Sequence, residues 1–175
     1  MIKKQLGREP RGVVGVHTRC GYGYPQVIVT RPVSATHSNI EIFPTLYWLT
    51  CPYLVKELAL LEAEGLIAQF EQRIQEDPEF ADLVEENHQR YAERRLALIP
   101  TCVQENIRDE YPERYRVLAE TGVGGIRSLE GVKCLHTHVA DYLAHGENPI
   151  GAEALAILDK PLDCPTKQCE DEESI

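Results

Sequence analysis

Apolar residues recur every three or four positions through much of the chain beyond residue 51, which is the spacing of one face of an α-helix. Pro52 and Pro149 stand where a helix would begin, a position that suits proline because its missing N–H is not needed there. The pattern indicates a mainly helical body. The predicted helices cover residues 52–64, 65–77, 78–99, 112–120, 128–146 and 150–158.

The N-terminal part has a different pattern. Residues 13–17 and 26–30 are rich in valine and isoleucine and enclose the turn-like sequence C-G-Y-G-Y-P, which predicts a β-hairpin, and residues 42–50 predict an extended segment. The fold class is therefore α+β, mainly helical, with a small N-terminal β-hairpin packed on a helical body. We expect a single compact domain over residues 1–163 and an acidic, mobile tail over residues 164–175.

The composition is that of an ordinary globular domain. A chain of 175 residues that is 43% hydrophobic and 26% charged can bury a sizeable core. No apolar run has the length of a membrane span, and the sequence M-I-K-K-Q-L-G-R lacks the apolar core of a signal peptide. We therefore expect a cytoplasmic protein without membrane contact. In that compartment six cysteines indicate metal binding, catalysis or burial rather than disulfides.

Charge is distributed unevenly along the chain. The first 35 residues carry a net charge of about +5, so the formal total of −10 leaves about −15 for the rest. Arg8, Arg11 and Arg19 belong to this basic segment and are candidates for binding a small anion such as a phosphate or a carboxylate. The alternative is a solvated basic face. The acidic remainder argues against extended duplex nucleic acid as a partner.

The predicted helix over residues 128–146 carries several reactive side chains. Ser128 suits its N-cap, and Cys134 falls in the first turn, where the helix dipole favours a thiolate. At 100° per residue, His138 shares a stripe with Cys134, while His136 lies near the other edge of the apolar face. Both histidines are therefore candidate ligands beside the cysteine.

Two more cysteines stand at comparable junctions. Cys51 directly precedes a proline and so occupies a predicted N-cap, and Cys20 lies in the glycine-rich turn of the hairpin. Together with Cys134 they predict one shared thiolate site, since thiolate ligands suit zinc and iron–sulfur clusters. By contrast, we expect Cys102 to be buried and His88 to be an exposed helix residue.

The glycine loop G-V-G-G-I-R covers residues 122–127, directly before the helix with the reactive side chains. Backbone N–H groups at Gly124 and Gly125 can face an anion, and Arg127 adds a positive charge. The loop lacks the Gly-Lys-Ser/Thr ending of a Walker A sequence, so it does not identify a nucleotide site.

Six segments follow one another in a specific order: Q-L-G-R-E-P-R-G-V-V, R-C-G-Y-G-Y-P-Q-V-I, F-P-T-L-Y-W-L-T-C-P, G-V-G-G-I-R, V-K-C-L-H and N-P-I-G-A-E-A-L. Together they span residues 5–155 and resemble a bacterial family of uncharacterised proteins, catalogued as domain of unknown function 501. The resemblance implies no activity, and it favours His136 over His138. The residues it implies to be shared are Cys20, Cys51, Cys134 and His136, with Arg8, Arg11 and Arg19 alongside.

Three functions fit these residues. The first is a metal or iron–sulfur site joined to the basic anion-binding region, which would serve a metal-dependent enzyme on a small anionic substrate. The second is a structural zinc or metal-free module that binds a protein or RNA partner. The third is a metal-free cysteine enzyme. The ligands of the first would be Cys20, Cys51 and Cys134, completed by His136, His138 or Cys164, or with one position left open.

Overall fold

The computed structural model describes residues 1–36 and 39–170, and its elements confirm the α+β, mainly helical prediction. The strands are β1 (Val13–Arg19), β2 (Pro25–Thr30), β3 (Val33–Thr36), β4 (Asn39–Ile42) and β5 (Tyr47–Leu49). The helices are α1 (Ile2–Leu6), α2 (Pro52–Ala63), α3 (Leu66–Glu76), α4 (Pro78–Ala97), α5 (Thr101–Glu110), α6 (Pro112–Glu120), α7 (Leu135–His145) and α8 (Pro149–Leu158), with a short 3₁₀ turn at Val123–Gly125. Among the described residues, no helix combines the length and the apolar character that a membrane crossing requires.

The predicted hairpin is part of a three-stranded antiparallel sheet with the order β1-β2-β5. β5 pairs with the other side of β2, which places Ile28 opposite Trp48 and Val27 opposite Leu49. Because side chains alternate along a strand, the first pair faces one side of the sheet and the second pair faces the other. β3 and β4 form a separate antiparallel hairpin.

Helix α7 covers one face of this sheet and lies at the centre of the core. It contacts β5, α2 and α8. Leu135, Val139 and Ala140 of α7 are fully buried. At the C-terminal end of the helix, Nε2 of His145 lies 2.7 Å from the hydroxyl of Tyr47 in β5. The helix is therefore fixed against the sheet along its buried face.

Helix α7 begins later than the sequence pattern predicts, at Leu135 rather than directly after Ser128. The cause is a contact between two helices that are distant in the sequence. The carboxylate of Glu62, on α2, accepts the N–H of Leu135 at 2.6 Å and so marks the point where the helix starts. Cys134 is consequently the N-cap residue with an extended backbone, and not a member of the first helical turn.

Two expectations about single residues are wrong. Cys102 is exposed, because it lies on the solvent side of α5, a helix that buries Ile107 instead. His88 is buried, with 1% of its surface exposed. Its Nδ1 accepts the N–H of Val123 at 3.0 Å, so the histidine joins α4 to the 3₁₀ turn.

The segment after α8 returns to the N-terminal end of the molecule. Gln26 donates a hydrogen bond to the main-chain oxygen of Leu162 at 2.8 Å, and Nε2 of Gln5 lies 3.3 Å from Sγ of Cys169. Cys164 and Cys169 are both buried. The described part of the predicted tail is thus packed against the body, and residues 171–175 lie outside the described residues.

Candidate metal centre

Three ligand-type side chains converge where the start of α7 meets the last turn of α2. Cys134 is the N-cap of α7, His136 lies in its first turn, and Glu62 comes from α2. One ligand atom of each side chain lies within 4.8 Å of the other two. About a quarter of the histidine and glutamate side chains is exposed, at 24% and 23%. Sulfur, nitrogen and oxygen donors therefore surround one small space that solvent reaches; we refer to them as the Cys–His–Glu cluster.

The carboxylate of Glu62 organises the start of α7. Its Oε1 accepts the N–H of Leu135 at 2.6 Å and lies 3.0 Å from Nδ1 of His136. A carboxylate at this place is stabilised by the unpaired N–H groups and the dipole of the helix. One oxygen atom thus caps the helix and orients the imidazole.

The second nitrogen of His136 faces the main chain. Its Nε2 lies 3.0 Å from the carbonyl oxygen of Val55. A carbonyl oxygen only accepts hydrogen bonds, so Nε2 carries a proton and Nδ1 is the nitrogen that can act as a ligand. The hydrogen bond to Cys134 outweighs burial and, together with Val55 and Glu62, raises the pKa of His136 to about 9. Without a metal, the ring is an imidazolium at neutral pH.

The pKa of Cys134 is shifted in the opposite direction. Burial raises the pKa of its thiol, but hydrogen bonds with His136 and Thr137 outweigh that effect, so the pKa lies below its usual value. The hydroxyl oxygen of Thr137 is 3.4 Å from Sγ. The pair therefore favours a thiolate beside an imidazolium, which is also the charge state from which a metal would displace one proton.

The structure does not bring Cys51 or Cys20 to this cluster. Cys51 caps the N-terminus of α2, whereas Glu62 lies in the last turn of the same helix, so about 16 Å of helix separates their backbones. Burial raises the pKa of Cys51, which packs in the core near Cys164. Cys20 is half-buried at the end of β1, in the turn that leads to β2. Cys51 therefore lies apart from the Cys–His–Glu cluster, with Cys169 and Cys164 as its neighbouring thiols.

His138 belongs to a buried polar network instead. Its Nδ1 lies within 3.3 Å of the side-chain amide of Asn148. The amide nitrogens of Asn148 and Asn87 donate to Oδ2 of Asp141 at 2.9 and 3.1 Å. Burial lowers the pKa of His138 to about 3, so the ring is neutral. This network ties α7 to α4 and α8, and among the described residues it is His136 that lies with Cys134.

The glycine loop uses its backbone groups within the protein. The N–H groups of Gly122, Val123 and Gly125 all bond to protein acceptors. The carbonyl oxygen of Gly124 accepts a hydrogen bond from Nζ of Lys133. The loop therefore presents an oxygen atom to a cation, and the N–H of Gly125, which was expected to face an anion, already bonds to the carbonyl of Gly122.

The arginines predicted to bind an anion lie at three separate places. Arg8 and Arg11 line a cavity of about 390 Å³ beside the sheet. Arg19 ends β1 and donates to the main-chain oxygen of Gly23 at 2.9 Å. Arg127 lines a different cavity, of about 420 Å³, with residues of α6. Of these four arginines, only Arg8 and Arg11 line the same cavity.

Sequence reasoning alone misses Glu62. It is one of several glutamates in the segment E-L-A-L-L-E-A-E, and nothing in that pattern indicates which of them faces another helix. Its hydrogen-bond partner Leu135 is 73 residues away in the chain. The contact comes from packing of α2 against α7, and no local sequence pattern indicates which helices pack together.

The comparisons with known proteins agree with the resemblance seen in the sequence segments. The model of one family, described as a protein of unknown function (DUF501), matches residues 16–156, about four fifths of the chain. No curated protein and no solved structure matches it. The matched range contains the whole Cys–His–Glu cluster, whereas Arg8 and Arg11 lie before it. The chain therefore belongs to the DUF501 family of proteins of unknown function.

Proposed function

We propose that Glu62, Cys134 and His136 bind a divalent transition metal, with Zn²⁺ as the expected ion, and that the protein is a metal-dependent enzyme. The observation that carries this proposal is the convergence of three ligand atoms within 4.8 Å of one another. Catalytic zinc sites have three protein ligands from the Cys, His and carboxylate set, and water or substrate takes the fourth position. The partial exposure of the cluster supports such an open position.

The surroundings of His136 support its role as a ligand. A metal-ligating histidine donates its other ring N–H to a carbonyl or a carboxylate, which fixes the tautomer and the ring orientation. Here Nε2 faces the carbonyl of Val55, so Nδ1 is turned toward Glu62. The hydroxyl of Thr137 forms a hydrogen bond with the sulfur of Cys134 and so helps to fix its position. These contacts would hold the three donors in place before the metal arrives.

The donor set favours zinc over an iron–sulfur cluster. Clusters are held mainly by several thiolates, and this cluster has one. A thiolate, an imidazole and a carboxylate together suit Zn²⁺. The proposed cofactor is therefore zinc, which is narrower than the zinc or iron–sulfur alternative that the cysteines alone suggest.

A zinc ion at this position would lower the pKa of a bound water molecule or polarise a substrate oxygen. The protein groups around it have defined tasks. Cys134 would bind as the thiolate it already is, His136 would give up the proton on Nδ1, and Glu62 would supply a carboxylate oxygen while it still accepts the N–H of Leu135. Lys133, adjacent in sequence and exposed, adds a positive charge that favours a small anionic substrate.

The lowered pKa of Cys134 favours a second candidate, a metal-free cysteine enzyme. The imidazolium of His136 would stabilise the thiolate nucleophile, and Glu62 would orient the ring. A cysteine nucleophile needs only the thiolate and the ring, however, whereas the close convergence of sulfur, nitrogen and oxygen donors is typical of a set of metal ligands. This candidate therefore ranks below the metal site.

The metal content of three variants tests the proposal. Cys134→Ser, His136→Ala and Glu62→Gln should each lower the bound zinc at least tenfold below about one ion per chain, because each removes a ligand. The measurement is elemental analysis, with an assay for acid-labile sulfide, on anaerobically purified protein. Cys102→Ser is the matched control, since Cys102 is an exposed cysteine outside the cluster. Unchanged zinc in all three ligand variants would contradict the site.

Substitution of Co²⁺ for Zn²⁺ tests the open position. The cobalt protein should show the charge-transfer absorption of a single thiolate ligand, and that absorption should vanish in Cys134→Ser. Azide should shift the visible cobalt bands if water or substrate occupies the fourth position. Bands that do not respond to azide would indicate a closed site and favour a structural zinc module that binds a protein or RNA partner.

A further inference from the structure

The cavity that contains Arg8 and Arg11 lies away from the proposed metal site. Consecutive residues of β5 face opposite sides of the sheet. Tyr47 contacts His145 of α7, whereas Trp48 lines the cavity. The cavity and the Cys–His–Glu cluster are therefore on opposite faces of the sheet, and a ligand in one does not contact the other.

The floor of the cavity is apolar. Ile28 is fully buried there, and Phe43, Trp48 and Pro10 complete the surface. Thr30 also lines the cavity, but its hydroxyl donates to a main-chain oxygen at 2.7 Å, so its proton is not available to a ligand. A volume of about 390 Å³ lies within the usual range of small-molecule sites. The floor therefore suits a flat apolar body.

The polar groups that remain available are mainly hydrogen-bond donors. The guanidinium carbon of Arg8 lies 5.0 Å from the centre of the Trp48 ring, which holds that charge against the cavity wall. Arg11 comes from the same segment. The indole N–H of Trp48 is buried and has no hydrogen-bond partner among the residues that the structure describes. A buried donor without an acceptor is costly.

Glu9 is the acidic residue of the lining, and it stands at the rim. Its side chain is 72% exposed and its carboxylate lies 3.7 Å from Nζ of Lys3. Because Lys3 offsets the charge of Glu9, the net charge of the cavity is that of Arg8 and Arg11. The site therefore attracts an anion.

We infer that this cavity binds a small organic anion, with a flat apolar body on Phe43 and Trp48 and a carboxylate or phosphate group held by Arg8 and Arg11. A guanidinium group matches both anions because it donates two parallel hydrogen bonds. The inference goes beyond the proposed metal-dependent function and does not depend on it.

Trp48 provides a direct readout, because it is the only tryptophan of the chain. The probes are benzoate and phenyl phosphate, which combine a ring with an anionic group, and acetate and benzamide, which lack the ring or the charge. Benzoate, phenyl phosphate or both should change the fluorescence of Trp48 with a saturable dependence on concentration. Acetate and benzamide should bind with a Kd at least tenfold higher.

Substitutions identify the residues that hold the anion. Arg8→Gln and Arg11→Gln should each raise the Kd about tenfold, the usual effect of losing a charge-assisted hydrogen bond. Arg19→Gln is the matched control, because that arginine already bonds to the carbonyl of Gly23 in its own turn. Cys134→Ser should leave the Kd unchanged, so a failure of the metal proposal would not affect this test.

Three results would overturn the inference: no saturable change with either benzoate or phenyl phosphate, equal affinity for the anions and for benzamide or acetate, or an unaltered Kd in both arginine variants. A saturable change that both arginine variants weaken supports it. In that case the tighter of the two ring-containing probes identifies the anionic group that the cavity prefers.

Discussion

Each ring nitrogen of His136 faces an oxygen atom of the protein, Nδ1 toward Glu62 and Nε2 toward Val55. The hydrogen bond to Cys134, with smaller contributions from Val55 and Glu62, raises the pKa of His136 to about 9, and the pKa of Cys134 is lowered. In the absence of metal, the two side chains form a charged pair at neutral pH. A metal ion must displace a proton from the histidine, so its affinity should increase as the pH rises.

The reactivity of the thiols tests this charge state. In chelator-treated protein at pH 7, iodoacetamide should modify Cys134 at least about tenfold faster than Cys51, because the thiolate is the nucleophile and burial raises the pKa of Cys51. Peptide mapping by mass spectrometry gives both rates. Added Zn²⁺ should protect Cys134 but not the exposed Cys102, and equal rates for Cys134 and Cys51 would contradict the proposed charge pair.

At the scale of elements, Arg95 of α4 joins the glycine loop to the segment before β5. Arg95 is fully buried, and its guanidinium group donates to main-chain oxygens of four residues. Burial lowers its pKa to about 10, so the side chain stays charged at neutral pH. The acceptors are Leu118 at 2.7 Å, Pro44 at 2.9 Å, Gly122 at 3.4 Å and Thr121.

Arg95→Leu should lower the free energy of unfolding by about 3 kcal/mol or more, because it leaves buried carbonyl groups without donors. Urea unfolding followed by circular dichroism measures the change. Arg90→Gln, on the same helix, is the matched control: its partners are exposed carboxylates, and the loss should stay below about 1 kcal/mol. Similar losses in the two variants would show that the buried hydrogen bonds are not important.

At the scale of the whole molecule, buried histidines make the fold sensitive to acid. Burial lowers the pKa of His88 to about 4 and that of His138 to about 3, whereas the unfolded chain has histidines near 6.5. Between these values the unfolded state binds protons and the folded state does not. The free energy of unfolding therefore decreases as the pH falls from about 6.5 toward 4.

His88→Asn should make this decrease shallower. Asparagine keeps an acceptor for the N–H of Val123 but removes the titrating ring, so the variant should lose up to about 1.4 kcal/mol less per pH unit in this window. Urea unfolding at several pH values, with wild type beside the variant, measures both slopes. The variant should be less stable at pH 7 because the smaller side chain leaves a cavity. If the free energies of unfolding of the two proteins fall in parallel with pH, His88 does not contribute to the acid sensitivity.

The sequence by itself determines most of the elements. Helices α2, α3, α4, α6 and α8 occur where the apolar period predicts them, and the β1–β2 hairpin encloses the predicted turn. These features depend on short-range causes: helical spacing, prolines in a first turn and glycines in a tight turn. The family resemblance also indicates Cys134 and His136 without any coordinates.

Tertiary structure decides how the candidate ligands are grouped. The apolar pattern alone favours a helix from Ser128 onward, in which Cys134 and His138 share a stripe. Glu62 of α2 starts the helix at Leu135 instead, so Cys134 has an extended backbone and helical spacing no longer applies to it. His136 is the histidine that then lies beside the thiol.

Packing also keeps Cys51 and the predicted anion-binding arginines Arg8 and Arg11 away from the start of α7. Helix α2 holds Cys51 and Glu62 at its two ends, and the sheet stands between the arginine-lined cavity and α7. A sequence pattern records which face of an element is apolar, since that depends on neighbours three or four residues away. It does not indicate which element that face packs against, because the packing partners are distant in the chain. The position of a ligand depends both on the apolar face of its element and on the element that this face contacts.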